Sequence, residues 1–246
     1  MKRILSLLGV LGMAVISNAQ ETTSTTNEYD KLSVEFNLGL NKAVNNWETQ
    51  AAPTNLKHFD LAARYMLNTK FGFKGSFGFD RLKNDEGNAN YKTNIYRYSL
   101  EGVLNVGRIL EFEDWTGKVG LLLHAGGGLT HMSFNTMGGR SIGASHLMLG
   151  ITPQVRITDR IAVTADFTAI NNFQQEYTFD GYNRDNGVIT GTGTVVVDNH
   201  QGTTTVNIAD PSQKFLKHVN PILNASIGVT YYIGSRQKHA DWYATK

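Results

Sequence analysis

The chain has 246 residues, 23 Lys and Arg against 21 Asp and Glu for a formal charge of +2, and a mean hydropathy of −0.27. That length allows one barrel-sized domain, and so balanced a charge excludes the basic excess of a nucleic-acid-binding protein. The absence of cysteine excludes disulfides, thiol-ligated metal and the lipid-modified cysteine of a bacterial lipoprotein.

The first residues read as an export signal. Lys2 and Arg3 form a positive n-region, Ile4 to Ile16 an apolar h-region, and Ser17-Asn18-Ala19 the small residues of a cleavage site. Cleavage is expected after Ala19, giving a signal over 1–19. The alternative, a membrane anchor, needs about 20 apolar residues, more than this run supplies. Loss of Lys2 and Arg3 brings the 23 bases to 21, equal to the 21 acids. Residues 20–30 are polar and predict a loose periplasmic lead-in.

From there the chain alternates with a period of two. The first strand, 31–44, sets Leu32, Val34, Phe36, Leu38 and Leu40 against Ser33, Glu35, Asn37 and Asn41. The second, 57–68, sets Phe59, Leu61 and Tyr65 against His58, Asp60 and Arg64. The third, 70–82, sets Phe71, Phe73, Phe77 and Phe79 against Lys74, Ser76 and Asp80. The fourth, 93–107, sets Tyr96, Tyr98 and Leu100 against Arg97, Ser99 and Glu101. The fifth, 117–134, and the sixth, 146–157, place His124, Thr130, His146, Gln154 and Arg156 on their polar faces. The seventh, 160–170, does so with Thr164 and Asp166, and the eighth, 218–233, with Asn224, Ser226 and Thr230. Each is long enough for a tilted strand to cross a bilayer, about 9–11 residues. A soluble lipocalin-like barrel would turn its aromatic faces inward. The signal and the glycine-rich polar faces favour lipid outside and polar groups inside.

Connection lengths agree. With the N-terminus in the periplasm, the outer loops are 45–56, 83–92, 135–145 and 171–217. Two of the inner ones are tight turns, Asn68-Thr69-Lys70 and Thr158-Asp159-Arg160, while 108–116 is longer. Short periplasmic turns and long outer loops are the outer-membrane pattern. Tyr65, Phe71, Trp115 and Tyr231 are expected at the periplasmic rim, and Trp47, Phe79 and Phe134 at the outer rim. Within 171–217, Val188 to Val197 and Thr203 to Ile208 predict a hairpin too polar to face lipid. The reading is therefore all-β: an eight-stranded antiparallel transmembrane β-barrel over 31–234, with a periplasmic C-terminal tail over 235–246. A ten-stranded barrel that absorbs the hairpin is the alternative.

The strand order, the Gly-Ile-Thr-Pro-Gln-Val-Arg-Ile-Thr-Asp-Arg-Ile stretch at 150–161, and the closing Tyr-Tyr-Ile-Gly followed by Lys238-His239-Ala240-Asp241-Trp242 resemble the N-terminal barrel of OmpA-family proteins. The likeness is to members from Bacteroidetes-type bacteria and covers most of the mature chain. The resemblance implies a barrel in the outer membrane. In the family this barrel precedes a peptidoglycan-binding domain, whose residues are not in this sequence.

Seven charged side chains are expected in the lumen: Glu35, Arg64, Lys74, Arg97, Glu101, Arg156 and Asp166. An eight-stranded barrel is just wide enough to be filled by side chains, so these predict a plug of paired charges rather than an open pore. His124 and His146 share the inward face and are expected to approach each other. His131-Met132-Ser133 has the H-x-S spacing of barrel lipid A deacylases, but no acid follows nearby to orient the histidine. Gly126-Gly127-Gly128 has no following helix and is not a phosphate loop. Neither enzyme activity nor a cofactor or metal is expected.

The first reading is a structural and interaction barrel that anchors the chain and displays 171–217, where Phe179, Tyr182 and Asn183 would meet a partner. A narrow porin-like channel is the second, and a lipid hydrolase ranks last. The expected partners are outer-membrane lipid and lipopolysaccharide, and an extracellular or envelope protein through that loop, with no nucleic acid. The expected location is the outer membrane.

Overall fold

A computed structural model describes residues 29–44, 54–84, 91–112, 116–135, 141–173, 179, 194–198, 203–207 and 220–243. The elements are β1 (Leu32–Ala43), β2 (Asn55–Met66), β3 (Phe71–Asn84), β4 (Tyr91–Asn105), a single helical turn α1 (Val106–Ile109), β5 (Val119–Phe134), β6 (Ser141–Arg156), β7 (Ile161–Phe173), β8 (Thr194–Asp198), β9 (Thr203–Asn207) and β10 (Asn220–Ile233). A 3-10 turn, Ala240–Trp242, follows the last strand.

Eight strands close on themselves in the order β1-β10-β7-β6-β5-β4-β3-β2, every pair antiparallel. β8 and β9 pair only with each other. The ten-stranded alternative therefore fails, because the hairpin never enters the wall. Closure matters because it leaves no strand edge unpaired in a medium that offers no hydrogen bonds.

The alternation sorts the wall. Leu38, Leu61, Leu149 and Ile227 project outward and are 55%, 50%, 62% and 69% exposed. A water-soluble protein would not leave so continuous an apolar belt uncovered, whereas a barrel in lipid requires one. Aromatic rings form a ladder across β1 to β4: Phe36–Phe59, Phe59–Phe77 and Phe77–Tyr98 have centroids 5.6, 6.1 and 5.2 Å apart.

Inside, the strands approach so closely that several inward positions, Gly39, Gly126, Gly128 and Gly228 among them, admit only glycine. A Cβ on Gly128 would run into the Tyr98 carbonyl oxygen, and one on Gly126 into the Leu100 carbonyl oxygen of β4. The short turns are built by side chains that imitate backbone. Asn68 accepts from the amides of Lys70 and Phe71 at 2.8 and 2.9 Å, and Thr158 from that of Arg160 at 3.1 Å. Asn105 caps α1 by accepting from the Arg108 amide at 2.9 Å.

Three features differ from the sequence expectation. At the loop end several strands run further, β6 beginning at Ser141 and β7 reaching Phe173. Phe134 is not an outer-rim girdle residue: it shares the inward parity of Thr130 and Met132 and is buried. The lead-in is not loose where it is described, at Tyr29 and Asp30. The Asp30 amide donates to the Lys238 carbonyl at 2.9 Å and the Ala240 amide to the Asp30 carbonyl at 2.8 Å, drawing the tail across the turn end of the barrel. Trp47, Trp115 and the signal segment lie outside the described residues.

Candidate functional site

The lumen is filled in three storeys. At the turn end, the tail enters the barrel. Asp241 is buried and meets Arg64 Nη1 at 2.7 Å, while Arg64 Nε donates to Glu35 at 2.5 Å. The Tyr232 hydroxyl donates to Asp241 at 3.2 Å, and the Asn105 amide to the Asp241 carbonyl at 3.3 Å. His239 stacks on Tyr232 with centroids 4.4 Å apart, and Trp242 packs with Ala162 and Tyr232. Burial alone would push the Asp241 carboxyl up, but the Arg64 guanidinium and His239 hold it well below the usual carboxylate range.

In the middle storey, Lys74 Nζ lies 3.2 Å from Glu101, and Glu101 lies 2.5 Å from His124 Nδ1. His124 Nε2 meets Asp166 at 3.0 Å. Thr152 and Thr168 donate to Asp166 at 2.6 and 2.5 Å, and Ser76 to Glu101 at 2.7 Å. Glu101 and Asp166 thus each have a cationic or imidazole partner and a hydroxyl donor, as a buried charge requires. Nearer the loop end, Arg97 pairs with Asp80, which also engages His58 and Asn41, each at 2.9 Å. The cavity between these groups, lined by Asp60, Lys74, Glu101, His124 and Asp166 among others, has a volume of about 20 Å³, room for a single water.

The third storey is apolar. Leu82, Tyr91, Ile95, Met132, Phe134, Ile170 and Ile222 point inward at the loop end and bury Phe179 from the long loop. Thr93 fixes that residue by donating to its carbonyl at 2.5 Å.

Solved outer-membrane proteins resemble this chain. Neisserial surface protein A is 15% identical, with a TM-score of 0.48 over 82% of this chain and 97% of that one. Ail, the attachment invasion locus protein of Yersinia pestis, is 13% identical, with a TM-score of 0.45 over 83% and 99%. The N-terminal β-barrel domain of Pseudomonas aeruginosa OprF is 13% identical, with a TM-score of 0.38 over 82% and 97%. No family model and no curated protein matches the chain.

Of the seven charged residues expected in the lumen, Glu35, Arg64, Lys74, Arg97, Glu101 and Asp166 lie in these storeys. Arg156 does not join them. It is the last residue of β6, and its long side chain reaches out to the rim, donating to the Gly117 carbonyl at 2.9 Å and lying 5.5 Å from the Trp242 ring. His124 and His146 are not brought together: His146 bonds Ser99 and Thr130, each at 2.9 Å. Phe179 is 1% exposed and so does not present itself to a partner. Tyr182 and Asn183 lie outside the described residues. His131 is on the outer wall, its ring 6.3 Å from Tyr96. Every strand carboxylate of the described barrel faces the lumen, so none can orient that histidine.

The sequence reading did not anticipate the docked tail or the apolar storey. Inward Leu82, Ile95, Met132, Ile170 and Ile222 carried the signal for the second, since the inner face turns apolar there while outward neighbours such as Arg81, Lys83, Ser133 and Asn171 are polar.

Proposed function

We propose that the protein is a non-conducting outer-membrane anchor that displays its long loop, 171–217, on the cell exterior. The observation that supports this is the filled lumen: a docked tail, a lattice of paired charges with about 20 Å³ of free space, and an apolar cap. A porin-like channel would need a continuous aqueous path through all three. The β8–β9 hairpin, which pairs with itself and not with the wall, gives the loop a folded element to present. Tyr182, Asn183 and the hairpin are then the surface for an extracellular or envelope partner, since Phe179 is committed to the cap.

The absence of native cysteine makes the display testable. Thr190→Cys in the loop should react with a membrane-impermeant maleimide on intact cells. Asn68→Cys in a short turn should react only after the outer membrane is opened. Labelling of Asn68→Cys alone on intact cells would invert the orientation and remove the display reading.

A further inference from the structure

The outer wall of the barrel is electrically one-sided. Among the described strand residues that point outward there is no Asp or Glu. The outward cations are Lys42 on β1, Lys57 on β2, Arg81 and Lys83 on β3, and Lys92 on β4, all at the loop end. The corresponding outward positions of β5, β6, β7 and β10 carry no Lys or Arg. These include Ser133, Ser141, Ser145, Asn171 and Pro221.

The cations are neighbours, not scattered. Asn41 reaches from the lumen side to donate to the carbonyl oxygens of both Lys57 and Arg81, at 3.1 and 3.4 Å. Those two residues stand on adjacent strands, one rung beyond the His58–Asp80 pair. Lys92 lies directly opposite Lys83. Lys83 has contacts of its own, and Arg81 Nε donates to Asn94 at 2.8 Å, which leaves the other donors of its guanidinium to the outer surface.

Immediately below stands the aromatic half of the wall. Phe79 and Tyr96 have centroids 5.2 Å apart, and the Arg81 guanidinium lies 5.7 Å from the Phe79 ring. Below them runs the Phe36–Phe59–Phe77–Tyr98 ladder. Cations at headgroup height above an apolar wall make a surface with two requirements: an anionic head and acyl chains beneath it. Each Lys or Arg near an anionic membrane surface contributes favourably, and arginine recognises phosphate through paired donors.

We propose that the loop end of β1–β4 is a binding face for a phosphorylated glycolipid of the outer leaflet, with Lys42, Lys57, Arg81 and Lys92 on its phosphates and the aromatic ladder against its acyl chains. The proposal rests on the barrel spanning the outer membrane. It does not rest on the lumen being closed, so the two readings fail separately.

The test uses the full mature chain refolded into phosphatidylcholine nanodiscs, titrated with bis-phosphorylated lipid A, with bound lipid counted by native mass spectrometry. The face predicts saturable binding, weakened by salt, and about tenfold weaker or worse in the Lys57→Gln/Arg81→Gln/Lys92→Gln variant. A control with Ser141→Gln and Ser145→Gln on the opposite wall should bind like the parent. Equal binding by the triple variant would overturn the proposal. So would equal binding of dephosphorylated lipid A, or of phosphatidylglycerol. If the triple variant does not fold, the salt series on the parent decides: binding indifferent to salt contradicts the face.

Discussion

Arg64 is enclosed on every side and faces two carboxylates, Glu35 and Asp241. Removing one partner from such a group leaves the others charged and unsolvated, which costs about 3–5 kcal/mol. Arg64→Ala should therefore lower the unfolding free energy of the barrel, read from a urea titration, by an amount of that order, whereas truncation of the exposed Arg236 side chain should change it little. The Asp241 carboxyl is held low in the folded state, so its contribution is complete above the ordinary carboxylate range, about 4, and declines only as pH falls below it. The tail should resist carboxypeptidase equally at pH 7 and pH 5. Release by pH 5 would show that Asp241 is not held by Arg64. Arg64 could be placed in the lumen from parity alone. Its partner could not, since Asp241 lies 177 residues away in a tail with no periodicity.

At the scale of the strand, alternation was legible nearly everywhere, because a period of two survives in any wall with lipid on one side and polar groups on the other. It became illegible at the loop ends, where Ile95, Met132 and Ile222 make the inner face apolar and outward residues such as Lys92, Ser133 and Asn171 make the outer face polar. Phe134 was misread there for the same reason: a large aromatic at a strand end suits both a rim girdle and an inner cap, and only parity separates them. The glycines of β5 offer a sharper test. Gly128→Val would push a side chain into the Tyr98 carbonyl and should abolish the heat-modifiable folded form on gels. Gly143→Ala, whose Cβ would meet no atom within 4 Å, should fold like the parent. If both fold equally, the close approach of β5 to β4 is wrong.

For the whole molecule, the sequence carried the strand count and the direction of the wall, but not what fills the space within it. A register of eight strands follows from local pattern and closure. The plug is assembled from residues far apart in the chain, Asp30 with His239, Glu35 with Arg64, Thr93 with Phe179, and no local signal announces such pairs. Closure of the lumen is the central claim, and single-channel recording of the refolded mature protein in a planar bilayer tests it most directly. The filled lumen predicts a silent membrane even when insertion and folding are verified on the same sample. Steady, reproducible openings would contradict it and make solute transport the function to pursue.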